Sequence, residues 1–318
     1  MLIYISENVY GGANKLLRKL KNEWSFTILD DIGDGLGDVD AIIAHATENF
    51  TKNLAMRGSC TLEELNKLEK RPFFLHITID ASLRARYANF CEEIANKSLE
   101  DFLDFAELQL QQSPQLPQVR DRANIKLYIT KYEHYQSEIS QVLAKQLREV
   151  NQGKDIRVPF QNTTPLRPDW DSYFMKLATL AASRSNCMKR RVGCVIVRDR
   201  RVIATGYNGT PRHLVNCHSG GCPRCNNGGA ELNTCLCLHA EENALLEAGR
   251  DRVGSNAILY CDTCPCLTCS VKIVQTGVRE VVYSQSYRMD EASFKVLQEG
   301  GVLVRQFSVL EEPRFVVV

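Results

Sequence analysis

The sequence predicts an α/β protein of two domains, a doubly wound parallel sheet followed by a three-layer α/β/α sandwich. Strand-like and helix-like segments alternate over residues 1–150, which is the pattern of a parallel sheet. Residues 151–169 lack periodicity and carry three prolines, so they predict a linker. A second series of strands and helices follows. We therefore expect domains at residues 1–160 and 168–318, and a chain of 318 residues is long enough for both.

In the first domain, apolar runs predict strands and polar capping residues predict helix starts. The predicted strands cover residues 2–6, 26–29, 39–43, 73–79 and 125–129. The predicted helices cover residues 13–20 and 135–150, and three more begin at Thr61, Ser82 and Ser98. Thr61 and Glu64 have the spacing of a capping box, which opens a helix.

The second domain opens with an amphipathic helix, because apolar residues recur at helical spacing over residues 170–183. Strands at residues 192–197 and 201–206 then pair across a turn at Asp199 and Arg200. A loop follows at residues 206–211, where Asn208-Gly209 precedes Pro211. The remaining elements are helices at residues 239–248, after Pro265 and at 290–298, and strands at 257–261, 280–283 and 302–305.

Composition and charge exclude several classes of protein. The net charge is +1, so no strong field would attract a nucleic-acid polymer. No apolar run approaches eighteen residues and no signal-peptide pattern opens the sequence, so we expect neither a membrane protein nor an exported one. Eleven of the thirteen cysteines fall between Cys187 and Cys269, which favours metal binding in a reducing compartment over disulfides. We expect a cytoplasmic protein, with a nuclear location also compatible.

The motifs His239-Ala240-Glu241 and Pro265-Cys266-Leu267-Thr268-Cys269 have the composition of a hydrolytic zinc site. Zinc binds imidazole and thiolate tetrahedrally, and a catalytic site keeps one position for water. We expect His239, Cys266 and Cys269 to hold the metal. Glu241 lies two residues from His239 on a different helix face, so it can approach the metal without binding it and move protons. The alternative is a closed structural site with a fourth cysteine, which has no use for a free carboxylate.

A second Cys-x2-Cys pair, Cys261 and Cys264, competes for the same role. We prefer Cys266 and Cys269 because Pro265 precedes them and suits the first turn of a helix, whose positive end lowers the pKa of a thiol. Cys261 ends an apolar run and is expected in a strand, which leaves Cys264 as a spare thiol beside the site.

The motifs of the second domain resemble those of the deoxycytidylate (dCMP) deaminases, and the two-domain length resembles their long fungal form. Besides the two zinc motifs they are Arg184-Ser185-Asn186-Cys187, Arg191-Val192-Gly193, Gly206-Tyr207-Asn208-Gly209 and Tyr287-Arg288. The zinc motifs alone mark the wider cytidine deaminase-like superfamily. The Gly-Tyr-Asn-Gly loop and the cysteine-rich insert before His239 indicate the dCMP branch.

The resemblance implies hydrolysis of dCMP to dUMP and ammonia, which supplies dUMP for thymidylate synthesis. Glu241 would carry protons from a zinc-activated water to N3 of cytosine and to the departing amino group. Asn208 would hold the sugar and base, and Ala240 would contact the substrate. The candidates for the 5′-phosphate are Arg190, Tyr287 and Arg288, each arginine having a solvated surface charge as its alternative.

A second, structural zinc is expected in the cysteine-rich insert. The candidate ligands are Cys187, Cys217, Cys222, Cys225, Cys235 and Cys237, with His218 among them in sequence. This glycine-rich stretch has little apolar surface, so four thiolates on zinc would order it. The sequence does not select four of the six, and a loop of free or redox-sensitive thiols is the alternative.

The resemblance further implies a homohexamer that dCTP activates and dTTP inhibits, with Mg²⁺ accompanying the effector nucleotide. We expect the effector near residues 206–214. Two other functions compete: a deaminase of another cytosine or adenine nucleoside substrate, and a non-enzymatic zinc-dependent assembly protein. The intact Glu241 argues against the second of these.

The first domain resembles the nucleoside-monophosphate kinases, with a degenerate phosphate-binding loop. Such a loop reads Gly-x4-Gly-Lys-Ser/Thr. Here Ser6 replaces the first glycine and Gly11 keeps the second, but Gly12 and Ala13 stand where lysine and the hydroxyl belong. We expect a scaffold or assembly domain that kept the fold and lost the loop.

Overall fold

The computed structural model describes residues 1–29, 38–151, 164–227, 235–286, 291–308 and 314–318. The chain divides into two compact units. The first comprises Met1–Arg167 and Glu311–Val318, and the second comprises Pro168–Leu310. No helix in these described stretches is long and apolar enough to cross a membrane.

The first unit is a parallel sheet with helices on both faces. Its strands are β1 (Leu2–Glu7), β2 (Thr27–Ile28), β3 (Leu54–Arg57), β4 (Phe74–Ala81) and β5 (Ile125–Ile129). Its helices are α1 (Ala13–Trp24), α2 (Val39–Glu48), α3 (Leu62–Glu69), α4 (Leu83–Glu93), α5 (Leu99–Gln112), α6 (Leu116–Asp121), α7 (His134–Ser137) and α8 (Ile139–Val150). Alternate residues of β1 face opposite sides: Ile3 and Ile5 pack with α1 and α8, while Leu2 and Tyr4 pack with α2 and α3.

Three predictions for this unit are wrong or incomplete. Residues 39–43 form the start of helix α2 rather than a strand, because Asp38 caps that helix by accepting the backbone N–H of Asp40. Strand β3 was not predicted. The 168–318 boundary is also wrong at its end, because Arg314–Val317 pairs in parallel with β5 and belongs to the first unit.

The second unit is a five-stranded sheet between two helical layers. Its elements are α9 (Trp170–Ala182), β6 (Gly193–Arg198), β7 (Arg201–Tyr207), α10 (Pro223–Asn226), α11 (Ala240–Val253), β8 (Ile258–Thr263), α12 (Leu267–Thr276), β9 (Glu280–Gln285), α13 (Glu291–Glu299) and β10 (Leu303–Gln306). Chain order gives the last strand, Arg314–Val317, the label β11. The sheet order is β10-β9-β8-β6-β7, and β6 is antiparallel to both of its neighbours.

Side chains of β6 explain why the sheet is covered on both faces. Val195 and Val197 pack with α9, whereas Cys194 and Ile196 pack with α11 and α12. The predicted three-layer α/β/α architecture of this unit is therefore what the structure has. The hairpin turn also lies where expected, since Asp199 and Arg200 have positive φ values of 51° and 60°, as a tight two-residue turn requires.

Two glycines set how closely the helices approach this sheet. A Cβ built on Gly193 would lie 2.0 Å from the carbonyl oxygen of Ala178 in α9. A Cβ built on Gly206 would lie 2.1 Å from the carbonyl oxygen of Ala240 in α11. Gly206 lies in β7, within the strand predicted at residues 201–206, and lets α11 cross at close range.

Candidate functional site

The candidate site lies at one edge of the five-stranded sheet. Strand β8 ends there, β7 ends there and β6 begins there, because β6 runs antiparallel to both. The backbone N–H of Gly193, at the start of β6, donates to the Asp262 carboxylate near the end of β8 at 3.2 Å. Helices α11 and α12 begin at the same edge, so two helix N-termini face one point.

The three predicted metal ligands come together at this point. His239 is the residue before α11, Cys266 is the residue before α12, and Cys269 lies in the first turn of α12. Nδ1 of His239 lies 3.3 Å from Sγ of Cys266 and 3.4 Å from Sγ of Cys269. One imidazole nitrogen and two sulfurs this close form a donor set that fits zinc.

Cys266 carries the thiolate character of this group. The hydrogen bond from Cys269, together with those from His239 and Thr268, lowers the pKa of Cys266 to about 3. Cys266 occupies the N-cap position and Pro265 lies two residues before the first helical residue, Leu267, rather than in the first turn as predicted, but the thiolate still faces the positive helix end.

The competing pair, Cys261 and Cys264, lies outside the ligand group. Cys261 is a strand residue of β8, fully buried opposite Cys194 of β6. Cys264 lines the cavity beside the metal ligands, and burial raises the pKa of its thiol to about 11. Neither belongs to the metal group, so the structure favours Cys266 and Cys269.

The Glu241 carboxyl lies beside the metal ligands but is not one of them. It is 3 % exposed, and this burial raises its pKa to about 7. A cation held by the three ligands would favour the ionised carboxylate, so metal and burial act in opposite directions on this group. A buried carboxyl balanced in this way can accept and return protons near neutral pH.

A cavity of about 360 Å³ opens onto this group. Ala240 and Glu241 lie at its base with His239 and Cys266, and Asn208 lines another wall. Its further lining residues were not predicted: Val192, Thr263 and Leu267. Thr263 is the last residue of β8 and Cys264 follows it, and this position at the carboxyl end of a strand could have identified Thr263.

The side-chain amide of Asn208 forms hydrogen bonds mainly with neighbouring residues of the protein. Its Oδ1 accepts from the backbone N–H of Val192 at 2.8 Å and from the Ser185 hydroxyl at 2.7 Å. Its Nδ2 donates to the carbonyl of Arg190 at 2.8 Å. In these contacts one Nδ2 hydrogen remains for a ligand. Asn208 therefore fixes the segment from Arg190 to Val192 as well as lining the cavity.

The phosphate candidates are only partly described. The Arg190 guanidinium lines the cavity and donates to Oε1 of Gln285 at 2.7 Å, so it lies at the end of β9. Tyr287 and Arg288 lie outside the described residues.

The six cysteines of the insert form a second group. Cys187, Cys217, Cys222, Cys225, Cys235 and Cys237 pack together, and two sets of four among them have all their sulfurs within 4.8 Å of one another. His218 is exposed and its Nδ1 pairs with the Ser219 hydroxyl, so it is not in either set.

A larger cavity of about 680 Å³ lies beside the loop that follows β7. Tyr207, Thr210, Arg212 and His213 line one side, and α11 lines the other with Leu246 and its neighbours. Arg212 is 86 % exposed and pairs with Glu247 at 3.3 Å. This cavity is more polar and wider than the one beside Glu241.

The chain is similar to several known proteins. Residues 168–285 match the profile of the cytidine and deoxycytidylate deaminase zinc-binding region. The deoxycytidylate deaminase of Saccharomyces cerevisiae is 53 % identical over 324 residues, covering 100 % of both chains. That of Schizosaccharomyces pombe is 50 % identical over 277 residues, covering 86 % of this chain and 82 % of the other. The crystal structure of dCMP deaminase from cyanophage S-TIM5 with dCMP and dUMP shares 33 % identity over 44 % of this chain and 98 % of that chain, with a TM-score of 0.38.

Proposed function

The chain belongs to the deoxycytidylate deaminase family in its long fungal form, and on that basis we propose that it hydrolyses dCMP to dUMP and ammonia. The observation that carries the proposal is the buried Glu241 carboxyl beside the His239, Cys266 and Cys269 ligand set, at the base of a cavity. The dUMP product would supply thymidylate synthesis, in the cytoplasm.

The residues that line the cavity have different roles in the proposed reaction. His239, Cys266 and Cys269 would hold zinc, whose Lewis acidity would make a water molecule a stronger nucleophile near neutral pH. Glu241 accepts a proton from that water and passes it to N3 of cytosine while the water oxygen bonds to C4. Glu241 then transfers the second water proton to the exocyclic nitrogen. The C4–N4 bond breaks, ammonia leaves and the ring becomes uracil.

The cavity walls orient the substrate. Ala240 begins α11 and is fully buried at the cavity base, so its backbone can contact the pyrimidine ring. The remaining Nδ2 hydrogen of Asn208 is directed to the sugar or base. Arg190, together with Tyr287 and Arg288, receives the 5′-phosphate, for which a planar guanidinium supplies paired donors.

Deamination assays with three substrates test this proposal. Ammonia release is measured from dCMP, deoxycytidine and CMP. We expect dCMP to be preferred, and Arg190→Ala to lower kcat/KM for dCMP by about 10- to 100-fold, since bonds to charged groups contribute about 1.5–3 kcal/mol. Deoxycytidine lacks the phosphate and should show little change. Arg201→Ala, an exposed arginine at the other end of β7, is the matched control.

Two outcomes would contradict the proposal. Failure of the zinc-loaded protein to deaminate dCMP would refute the activity and favour a non-enzymatic assembly protein. Equal turnover of deoxycytidine and dCMP, or equal losses on both in Arg190→Ala, would refute recognition of the phosphate and favour a nucleoside deaminase.

Regulation by nucleotides is proposed at the larger cavity beside residues 206–214. Its volume and polar lining suit a nucleoside triphosphate, with dCTP as activator, dTTP as inhibitor and Mg²⁺ bound to the phosphates. Leu214 and Leu246 line it and are 52 % and 69 % exposed, and packing of subunits in a homohexamer would bury them. We expect Arg212→Ala to reduce the ratio of activities with and without dCTP, and light scattering to give the mass of six chains.

A structural zinc is proposed in the six-cysteine group, in addition to the catalytic one. Four sulfurs within 4.8 Å suit a closed tetrahedral thiolate site. Such a site would order an insert whose described core consists of its own thiols.

The first unit is proposed to be a scaffold that does not bind nucleotide phosphate. The Glu7 carboxylate accepts the backbone N–H groups of Gly12 and Ala13 at 2.9 and 3.0 Å. A helix N-terminus is where a phosphate-binding loop would hold an anion, and here the protein's own carboxylate takes those donors. The absence of ATP binding by calorimetry would support this, and micromolar binding would contradict it.

A further inference from the structure

The six cysteines of the insert form one compact group from four separate segments. Cys187 follows α9, Cys217 lies in a short 3₁₀ turn, Cys222 and Cys225 flank the start of α10, and Cys235 and Cys237 precede His239. All six thiols are free of disulfides. The Sγ atoms of Cys225 and Cys235 lie 3.5 Å apart, and those of Cys222 and Cys235 lie 3.6 Å apart.

These thiols fall into two overlapping sets of four. One set is Cys187, Cys217, Cys225 and Cys237, and the other is Cys222, Cys225, Cys235 and Cys237. Cys225 and Cys237 belong to both sets. Neither set is complete without them, so two separate four-thiolate sites cannot form from six cysteines unless two sulfurs are shared.

The distances fit metal coordination rather than disulfide formation. A tetrahedral zinc with bonds of about 2.3 Å places its sulfurs roughly 3.8 Å apart. The sulfur–sulfur distances in the insert lie around that value: 3.5 Å for Cys225 with Cys235, 3.6 Å for Cys222 with Cys235 and 4.0 Å for Cys187 with Cys225. A disulfide needs about 2.05 Å, much less than any of them.

We propose that the insert holds two zinc ions, bridged by the thiolates of Cys225 and Cys237. Each ion then has four sulfurs: Cys187 and Cys217 complete one tetrahedron, and Cys222 and Cys235 complete the other. Two tetrahedra that share an edge use six sulfurs, the number present. The inference rests on the structural zinc of the proposed function and replaces one ion by two.

Backbone N–H groups donate to three of the four unshared sulfurs. Cys217 accepts from the N–H of Met188 at 3.5 Å. Cys187 accepts from the backbone of Lys189 and Arg190, and Cys222 accepts from the backbone of Cys225 and Leu236. A thiolate bound to one zinc keeps more negative charge than one shared by two, so it gains more from such donors. Six thiolates with two divalent ions carry about −2 in total, the same as a single zinc with four thiolates.

The cluster connects to both halves of the catalytic site. The N–H of Cys187 donates to the Ser185 hydroxyl at 3.2 Å, and that hydroxyl donates to Asn208 at 2.7 Å. Cys237 lies two residues before His239, and the intervening Leu238 pairs with Gly209 through hydrogen bonds of 2.9 and 3.2 Å. Binding of two ions would therefore fix the segments that carry Asn208 and His239 relative to each other.

Zinc counting on the full-length purified protein is the first test. We expect three zinc ions per chain, one catalytic and two in the cluster, with cysteines of the insert protected from a thiol reagent until a chelator is added. Two ions per chain would overturn the bridged pair and leave a single structural zinc. One ion per chain would remove the structural zinc as well, while dCMP deamination would still test the enzyme separately.

Substitutions separate the bridged pair from a single four-cysteine site. Cys187→Ala and Cys235→Ala remove one unshared sulfur from different sets, so each should lower the count from three to two. With a single zinc, one of these two variants would leave the count unchanged. Cys225→Ala removes a shared sulfur and should lower the count by up to two. Cys91→Ala, an exposed thiol on α4, is the matched control.

Cadmium-113 NMR of the unsubstituted protein keeps the inference testable if the variants fail to fold. Exchange of zinc for ¹¹³Cd should give two tetrathiolate resonances that are scalar-coupled to each other, because the shared sulfurs connect the two nuclei. A single tetrathiolate resonance, or two without mutual coupling, would overturn the bridge.

Discussion

Replacing Gly206 by alanine should displace the helix that carries the catalytic residues. The added Cβ would lie 2.1 Å from the Ala240 carbonyl oxygen and 2.6 Å from the Ala244 nitrogen. Ordinary contacts of carbon atoms are about 3.5–4.0 Å, so α11 must move by roughly 1 Å. Because Gly206 does not have a positive φ, its backbone suits alanine, and the cost comes from this contact alone.

The change in the free energy of unfolding on Gly206→Ala follows from two opposing contributions. Overpacking of this kind costs about 1–3 kcal/mol. The lower entropy of the unfolded chain with alanine returns about 0.4–1 kcal/mol. We therefore expect the second unit to lose about 1–2 kcal/mol in its free energy of unfolding. Since α11 begins beside His239 and carries Glu241, a 1 Å displacement should also lower kcat/KM by roughly 100-fold.

Thermal unfolding, zinc content and kcat/KM for dCMP are measured on the same preparation. Val202→Ala is the control, because Val202 is 42 % exposed on the same strand and its loss should change stability by no more than about 0.5 kcal/mol. If Gly206→Ala unfolds at the wild-type temperature and keeps kcat/KM within about twofold, the close approach of α11 does not position the site.

Three further predictions address other parts of the molecule. Glu241→Gln should keep zinc and fold but lower kcat by about 100- to 10,000-fold, and unchanged activity would refute its proton-transfer role. Burial lowers the pKa of His76 to about 3, so between pH 6.5 and 5 the imidazole takes up a proton in the unfolded chain but not in the folded one, and the free energy of unfolding should fall by about 2 kcal/mol over that range. Chemical denaturation should show a smaller fall for His76→Gln, and an equal fall would contradict this assignment. Arg305 binds both carboxylate oxygens of Asp171 at 2.7 Å. Lysine cannot bind both oxygens in this way, so Arg305→Lys should destabilise the second unit by about 0.5–1 kcal/mol in a thermal melt at low salt. Unfolding at the wild-type temperature would show that the pair contributes nothing.

Local signals in the sequence predicted much of this structure. The Thr61 capping box and the Ser82 and Ser98 caps lie where helices begin, because a cap depends on residues only three apart. The three candidate metal ligands lie close together for a similar reason. His239 and Cys266 each adjoin a helix start, and short motifs fix both starts.

Features that depend on distant residues were not predictable. Residues 39–43 are apolar over too short a window to separate strand from helix, and the periodicity through Ala46 settles it. Cys225 and Cys237 are shared between two sets because of the three-dimensional arrangement of the thiols, which the spacing of six cysteines in the sequence does not determine.

The pairing of β11 with β5 makes the deaminase unit an insertion within the first unit. A ribosome would release the whole deaminase before the strand that covers the β5 edge, and until then that edge presents unpaired backbone groups that can template aggregation. Val318 donates to Tyr128 and its carbonyl accepts from Thr130. Removal of these last residues should therefore impair folding of the amino-terminal half during synthesis and expose it to quality control. The zinc-site residues lie between β5 and β11 in the sequence and would be unchanged.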